Sequence, residues 1–206
     1  MTHAARHIPE HARWRNQRVG LLGGTFNPAH EAHLHISLQA IKRLRLDRVV
    51  WLVSPGNPLK NDAQNAALDA RIKSAKAMAR HPKIEVSDLE SRLGTRFTVD
   101  TLSELRASMP TTRFLWLMGA DNMVQFPKWQ DWRTIMSIVP VAIFDRPHYS
   151  IKALMGRVAQ EFAFARIPNG KARDLADRLA PAWSFISCPR HPQSSTRLRE
   201  AGMTDL

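Results

Sequence analysis

Two histidines follow a pair of glycines near the start of the chain, in the sequence GGTFNPAHEAH at 23–33. Gly23 and Gly24 end a short apolar run, and His30 and His33 would share one face of a helix that begins there. Glycines permit a tight turn and let a phosphate approach backbone N–H groups, and the positive end of a helix attracts anions. Because imidazoles can donate hydrogen bonds to phosphate oxygens, these residue types in this order predict a phosphate-binding site.

Other phosphate and metal motifs fail on their spacing. Neither the P-loop pattern GxxxxGK[ST] nor the dinucleotide pattern GxGxxG occurs here. The stretch HEAHL resembles the zinc-protease motif HExxH but is one residue short. A metal site formed by His30, His33 and His35 is conceivable, but His35 would point away from His33 on a helix. We therefore predict no metal site.

Predicted strands and helices alternate along the chain, which indicates an α/β fold: a doubly wound, Rossmann-like parallel sheet with flanking helices. Ligands of such sheets bind outside the carboxyl ends of the strands, where Gly23 and Gly24 lie. Short apolar runs predict strands, and apolar residues at helical spacing predict helices. The predicted strands are 18–24, 47–55, 83–88, 112–121, 138–146 and 183–188, and the predicted helices are 31–46, 67–81, 97–109 and 129–137.

A single domain is expected over 18–202. The preceding residues, 1–17, lack the apolar core of a secretory signal, and we expect them to form a disordered leader. Between 147 and 182 the strand pattern gives way to helix-like sequence, which indicates a peripheral elaboration. In the helix 31–46, the spacing predicts a buried face formed by Leu34, Leu38, Ile41 and Leu44.

The chain carries 30 Lys and Arg against 18 Asp and Glu, a formal net charge of +12. Such an excess favours polyanionic partners, including nucleic acids, acidic membranes and phosphorylated metabolites. However, no run of five basic residues forms a nucleic-acid tail, and no apolar stretch reaches the roughly 18 residues that span a bilayer. We therefore expect neither a nucleic-acid nor a membrane partner. The single cysteine, Cys188, excludes an intrachain disulfide and suits a cytoplasmic protein.

Two stretches carry a resemblance to a known family. GGTFNPAHEAH resembles the signature G-[GT]-[FS]-[DN]-P-x-H-x-G-H of the HxGH nucleotidyltransferase superfamily, and SSTRLR at 194–199 resembles its second signature, [IV]-S-S-T-x-[IVL]-R. Four stretches between them are similar to those of the bacterial nicotinate-nucleotide adenylyltransferases: SPGNPLK (54–60), RFTVDTL (96–102), GADNMVQFPKW (119–129) and FDRPHY (144–149). The chain departs from the family pattern at Ala32 (glycine in HxGH), Leu59 (often histidine), Phe97 (tyrosine) and His148 (glycine).

The resemblance implies adenylyl transfer from ATP to nicotinate mononucleotide, which gives deamido-NAD and pyrophosphate in NAD biosynthesis and requires Mg²⁺ with the ATP. It implies that His30 and His33 are catalytic and contact the ATP phosphates. The other implied ATP-binding residues are Gly23, Gly24, Ser194, Ser195, Thr196 and Arg199. The implied mononucleotide-binding residues are Thr25, Phe26, Lys60, Thr98, Asp121, Trp129 and Arg146.

Each of these roles has a structural alternative. Ser194 to Thr196 are also suited to capping a helix, Lys60 and Arg146 to the solvated surface, and Phe26 and Trp129 to the core. At the level of function, one alternative is a sister adenylyltransferase for another phosphorylated acceptor, such as nicotinamide mononucleotide or phosphopantetheine. Another is a non-catalytic nucleotide-binding or nucleic-acid-binding protein on the same fold, which the net charge and Ala32 would favour. The sequence leaves the oligomeric state open.

Overall fold

The computed structural model describes residues 8, 10–56 and 66–189. Six strands form one parallel sheet in the order β3-β2-β1-β4-β5-β6. After β3 the chain returns to form β4 on the other side of β1, and this reversal of the strand order places a crevice at the carboxyl ends of β1 and β4. The predicted Rossmann-like, doubly wound sheet is therefore confirmed. The strands are β1 (Arg18–Gly24), β2 (Arg48–Val53), β3 (Ile84–Ser87), β4 (Arg113–Gly119), β5 (Val141–Phe144) and β6 (Trp183–Ile186).

Helices connect the strands and cover the sheet. They are α1 (His11–Trp14), α2 (Glu31–Arg43), α3 (Leu68–Met78), α4 (Leu89–Leu93), α5 (Thr98–Ser108), α6 (Ala120–Gln125), α7 (Trp132–Ile138), α8 (Ser150–Leu154) and α9 (Arg157–Glu161). Three 3-10 segments cover Phe126–Lys128, Ala163–Ala165 and Asn169–Asp177. The sequence patterns missed α4 and α6, and the strand predicted over 112–121 ends at Gly119 because α6 begins at the next residue.

The core lies on both faces of the sheet. Successive residues of a strand point to opposite faces, so Leu21 joins one apolar cluster and Leu22 the other. Both faces are covered, as is usual for parallel sheets. The first cluster includes Trp14, Trp116, Phe126, Trp132 and Trp183, and the second includes Phe26, Trp51, Leu117, Phe144 and Ala40.

Helix α2 buries the predicted face only in part, since Leu34 and Ile41 are half-buried against the second cluster but Leu38 is not. Leu38 is 38% exposed, whereas Ala32, Ile36 and Ala40, spaced four residues apart, are buried. Leu44 is buried as predicted. Small side chains let the helix lie close to the strands, so the alanines pack inside and the bulkier Leu38 is left outside. Counting only large apolar residues therefore misjudged the rotation of this helix.

The prediction of a disordered leader is wrong for residues 10–17, while residues 1–7 and 9 lie outside the described part of the chain. Trp14 at the end of α1 is fully buried in the first cluster. Its indole Nε1 donates to Glu85 at 3.0 Å, and its carbonyl accepts from the hydroxyl of Thr112 at 3.0 Å. Arg92 also forms an ion pair with Glu10. These contacts join residues 10–17 to β3, to α4 and to the residue before β4. The sequence did not indicate them, because Trp14 is one apolar side chain among charged neighbours.

Candidate active site

The turn after β1 is shaped by close packing. A Cβ on Gly23 would lie 2.5 Å from Cη2 of Trp116, so no larger residue fits without a shift of the indole. Phe26 has a φ of 47°, in the left-handed region that side chains rarely adopt. Its buried ring stacks on Trp51, with ring centroids 5.1 Å apart, and this packing holds the strained backbone in place. The side chain of Phe26 therefore belongs to the core, and only its backbone faces the turn.

The structure brings His30 and His33 together at the start of α2. His30 is the N-cap residue, is buried and has extended backbone angles. Its backbone N–H donates to Nδ1 of His33 at 3.2 Å, and the two ring centroids lie 3.9 Å apart. Because Nδ1 of His33 accepts this bond, a neutral His33 carries its proton on Nε2. The second histidine therefore offers one N–H donor whose direction is set by the first turn of the helix.

His33 is neutral in the folded protein near pH 7. Burial lowers the pKa of His33 well below its ordinary value of 6.5, and the positive charges of His30 and Arg146 lower it further. His33 therefore meets an incoming ligand as a neutral hydrogen-bond donor in a basic environment.

A buried polar chain that the sequence did not reveal supports the first turn of α2. The indole Nε1 of Trp51 donates to the hydroxyl of Ser37 at 2.7 Å. That hydroxyl in turn donates to the carbonyl of His33 at 2.8 Å. Ser37 is fully buried, so these bonds satisfy polar groups that would otherwise be costly in the core. They tie the turn that carries His33 to strand β2.

The opposite side of the crevice is formed by the ends of β4 and β5. Arg146 and Asp121 form an ion pair, with Nε and Oδ1 3.5 Å apart, and each side chain is mostly buried. A Cβ on Gly119 would lie 2.3 Å from Oδ1 of Asp121 and 3.1 Å from Nε of Arg146, so a larger residue would displace the ion pair. The effect of Arg146 on the pKa of His33 links this pair to the histidines across the crevice. Two residues predicted to bind the mononucleotide, Asp121 and Arg146, thus lie together, and Arg146 is close enough to His33 to lower its pKa.

Trp129 lies beyond Trp116 on the first apolar cluster. It follows the 3-10 segment Phe126–Lys128, is half-buried, and meets Trp116 edge-on with ring centroids 6.3 Å apart. Because the indole of Trp116 also packs beneath Gly23, Trp116 connects the glycine turn to Trp129. Thr98 begins α5 directly after Phe97, which packs against the same cluster.

One buried cation was not predicted from the sequence. Arg71 on α3 is 3% exposed. Its guanidinium donates to four backbone carbonyls: Thr25 at 2.8 Å, Ser54 at 2.7 Å, Pro55 at 3.1 Å and Ala66 at 2.9 Å. The sequence pattern of the helix predicted over 67–81 does not single out Arg71. Its role depends on long-range contacts that periodicity does not encode.

Five predicted site residues lie outside the described part of the chain: Lys60, Ser194, Ser195, Thr196 and Arg199. Pro189, the last described residue of the chain, lies beside α2, where Nε2 of His35 donates to its carbonyl at 2.7 Å. Within residues 8, 10–56 and 66–189, no group of three or more His, Cys, Asp or Glu could hold a metal ion. None of the described helices is long and apolar enough to cross a membrane.

This sheet, with a glycine turn and paired histidines at its switch point, defines an α/β nucleotidyltransferase. The sequence model of the cytidylyltransferase-like family matches residues 21–201. A Parvibaculum lavamentivorans protein named probable nicotinate-nucleotide adenylyltransferase is 50% identical over 90% of this chain and 92% of its own. A Cereibacter sphaeroides protein of the same name is 51% identical over 89% of this chain and 97% of its own. The chain belongs to the cytidylyltransferase-like family and, within it, to the nicotinate-nucleotide adenylyltransferases.

A solved structure shares the fold at much lower identity. The Plasmodium falciparum nicotinic acid mononucleotide adenylyltransferase complexed with NaAD superposes with a TM-score of 0.68 at 17% identity. The match covers 88% of this chain and 82% of the Plasmodium chain. At this identity the likeness supports the architecture of the sheet and its flanking helices.

Proposed function

We propose that the protein transfers the adenylyl group of ATP to nicotinate mononucleotide. A phosphate oxygen of the mononucleotide attacks the α-phosphorus of ATP and forms a new P–O bond. The bond between the α-phosphorus and the oxygen bridging to the β-phosphate breaks, and its electron pair leaves with pyrophosphate. Because the attacking phosphate is already ionised at neutral pH, no protein nucleophile or general base is needed. Catalysis then depends on alignment and on stabilising negative charge.

The observation that carries this proposal is the His30–His33 pair at the start of α2, in the crevice between β1 and β4. A helix N-terminus and two imidazoles suit a polyphosphate. The Nε2–H of a neutral His33 can donate to the α-phosphate, and a bound polyanion would raise the pKa of His33. The bond would therefore strengthen as negative charge builds in the transition state.

The remaining roles follow from the family resemblance. Gly23 and Gly24 would let the ATP phosphates approach the backbone, and Mg²⁺ would enter with ATP as part of the substrate and neutralise phosphate charge. Thr25 and Phe26 would offer backbone N–H groups to the mononucleotide, and Arg146 would add positive charge beside it. The indole of Trp129 would stack on its cationic pyridinium ring.

Ala32, the departure from HxGH, does not argue against this function. It is buried on the inner face of α2, so its methyl group packs within the protein. The bulk that could obstruct a nucleotide is therefore small. Retention of both histidines and of SSTRLR favours a catalytic protein over a non-catalytic relative on the same fold.

Pyrophosphate release with ATP, Mg²⁺ and a panel of acceptors tests the proposal. We expect turnover with nicotinate mononucleotide and much lower kcat/KM with nicotinamide mononucleotide and phosphopantetheine. Equal or better turnover of nicotinamide mononucleotide would assign the protein to the sister activity. ATP binding without pyrophosphate release from any acceptor would overturn the catalytic assignment.

A further inference from the structure

Arg71 joins three separate segments of the carboxyl edge of the sheet, the edge at which the strands end. Thr25 belongs to the turn after β1, Ser54 and Pro55 follow β2, and Ala66 precedes α3. Burying a charged side chain costs several kcal/mol unless polar groups surround it, and here backbone carbonyls supply that environment. One side chain thus fixes the relative positions of three segments that are far apart in sequence.

One of these segments carries a residue assigned to the acceptor, because Arg71 binds the carbonyl of Thr25 itself. The other two are the described ends of the connection between β2 and α3. Two further bonds run between the same segments. The N–H of Ser54 donates to the carbonyl of Gly24 at 2.9 Å, and the N–H of Ala66 is 3.4 Å from Oδ1 of Asn27. Arg71 is therefore the centre of a set of bonds that ties the glycine turn to both ends of the following connection.

We propose that Arg71 is a positioning residue that holds the acceptor side of the active site in its binding geometry. This inference rests on the proposed adenylyl transfer to a mononucleotide. A guanidinium carries five N–H donors in a rigid planar fork, whereas a lysine ammonium carries three donors at one point on a flexible stem. Lysine would keep the charge and lose the simultaneous contact with all three segments. The substitution Arg71→Lys therefore tests the geometry of the guanidinium and not its charge.

The kinetic test compares Arg71→Lys with Arg92→Lys. Arg92 is a matched control because it also makes several bonds, to Glu10, Asp88 and Ser87, and none of these residues belongs to the site. We expect Arg71→Lys to lower kcat/KM for nicotinate mononucleotide by about 10- to 100-fold, since a misplacement of about 1 Å can cost about 100-fold. Most of this loss should appear in the KM for the mononucleotide. The KM for ATP should stay within about twofold. Arg92→Lys should lower the melting temperature and leave both KM values unchanged.

Amide hydrogen exchange gives a readout that does not depend on turnover. In Arg71→Lys the N–H groups of Ser54 and Ala66 should exchange faster than in wild type, and in Arg92→Lys they should not. Arg71→Gln, which keeps two donors without the charge, repeats the comparison in a second variant.

The outcomes separate this inference from the proposed function. If wild-type protein turns over no mononucleotide, the proposed function is wrong, and an exchange change specific to Arg71 would still support its structural link to the site. If wild-type protein is active and the Arg71 variants raise both KM values equally, or leave both values and the exchange rates unchanged, the positioning role is wrong.

Discussion

The two edges of the sheet are held together by different kinds of bond. At the amino edge, where the strands begin, charged side chains pair with one another. Arg18 at the start of β1 donates two hydrogen bonds to Asp177, and Arg113 at the start of β4 lies 3.2 Å from the same carboxylate. Arg48 at the start of β2 pairs with Glu85 on β3. These pairs satisfy charge with charge and tie peripheral segments to the strands.

At the carboxyl edge, side chains mostly bind the backbone. Arg71 donates to carbonyls of three segments, and Ser37 donates to the carbonyl of His33. The ion pair between Asp121 and Arg146 is a charged contact at this edge, and it lies in the candidate site itself. Bonds to carbonyls fix the course of the chain without using the carboxylates that would compete with phosphate for basic groups.

The difference suggests that stability and ligand binding are separated between the edges. Changes at the amino edge should lower the free energy of unfolding and leave turnover per folded molecule unchanged. Changes to the site residues of the carboxyl edge should alter turnover more than stability. The variants below test this separation, beginning with the largest expected effect.

Trp14→Ala should lower the free energy of unfolding by about 3–5 kcal/mol, because it removes a fully buried indole from the first cluster. Urea denaturation measures the loss, and kcat corrected for the folded fraction should match wild type. Trp14→Phe is the control, because it keeps most of the ring but lacks the bond to Glu85. Its free energy of unfolding should fall by only about 1–2 kcal/mol. A loss below about 1 kcal/mol in Trp14→Ala would mean that residues 10–17 contribute little to the fold.

His33→Ala should lower kcat by about 10²–10³-fold, or roughly 3–4 kcal/mol of transition-state stabilisation, because it removes a preorganised donor. The lowered pKa of His33 also predicts a pH dependence of stability. Below pH 6.5 the unfolded chain takes up a proton that the folded protein excludes, so the free energy of unfolding of wild type falls as the pH falls. The variant should lack this loss. His11→Ala, which changes an exposed histidine on α1, is the control. A folded His33→Ala protein with turnover within about threefold of wild type contradicts the assigned role.

The sequence predicted the parts of this comparison that depend on short patterns. Apolar runs located all six strands, and the glycines and histidines at 23–33 located the crevice, since both depend on residues that are close in the chain. Tertiary contacts determine what was missed. Arg71 and Trp14 look like an ordinary helix cation and an isolated aromatic residue until partners 5 to 98 residues away are known. The rotation of α2 was misjudged because close approach to the sheet favoured alanines over Leu38.

Glu90→Gln sharpens the comparison between the two edges. Glu90 lies on α4, just after β3, at the carboxyl edge, but it has no assigned role in the reaction. Burial raises the pKa of Glu90 from 4.5 to about 7. The folded protein therefore binds more protons than the unfolded chain, and the stability linked to Glu90 is present below pH 4.5 and is lost as the pH rises through about 7. At pH 8 the variant should be more stable than wild type by up to about 3 kcal/mol.

Urea denaturation of Glu90→Gln and wild type at pH 4.5 and pH 8 checks this. The excess stability of the variant should shrink at the lower pH, and turnover should stay within about twofold of wild type. A gain that is equal at both pH values would contradict the link to titration. A large loss of turnover would instead make Glu90 part of the functional machinery of this edge.

Asp177→Asn should have the smallest effect, about 1 kcal/mol, because the carboxylate is partly exposed and exposed ion pairs rarely contribute more than this. The hydrogen bond from Arg18 lowers the pKa of Asp177 below its ordinary value of 3.8, so the stability it adds is present above pH 3.8 and is lost as the pH falls through the folded-state pKa. The difference from wild type should therefore narrow from pH 7 toward pH 3, and also in about 1 M salt, which screens exposed charges. Asp131→Asn, which changes a carboxylate away from this cluster, is the control. A difference that persists unchanged in high salt and at low pH would show that Asp177 acts through packing, and the charge pairing assigned to the amino edge would not explain its stability.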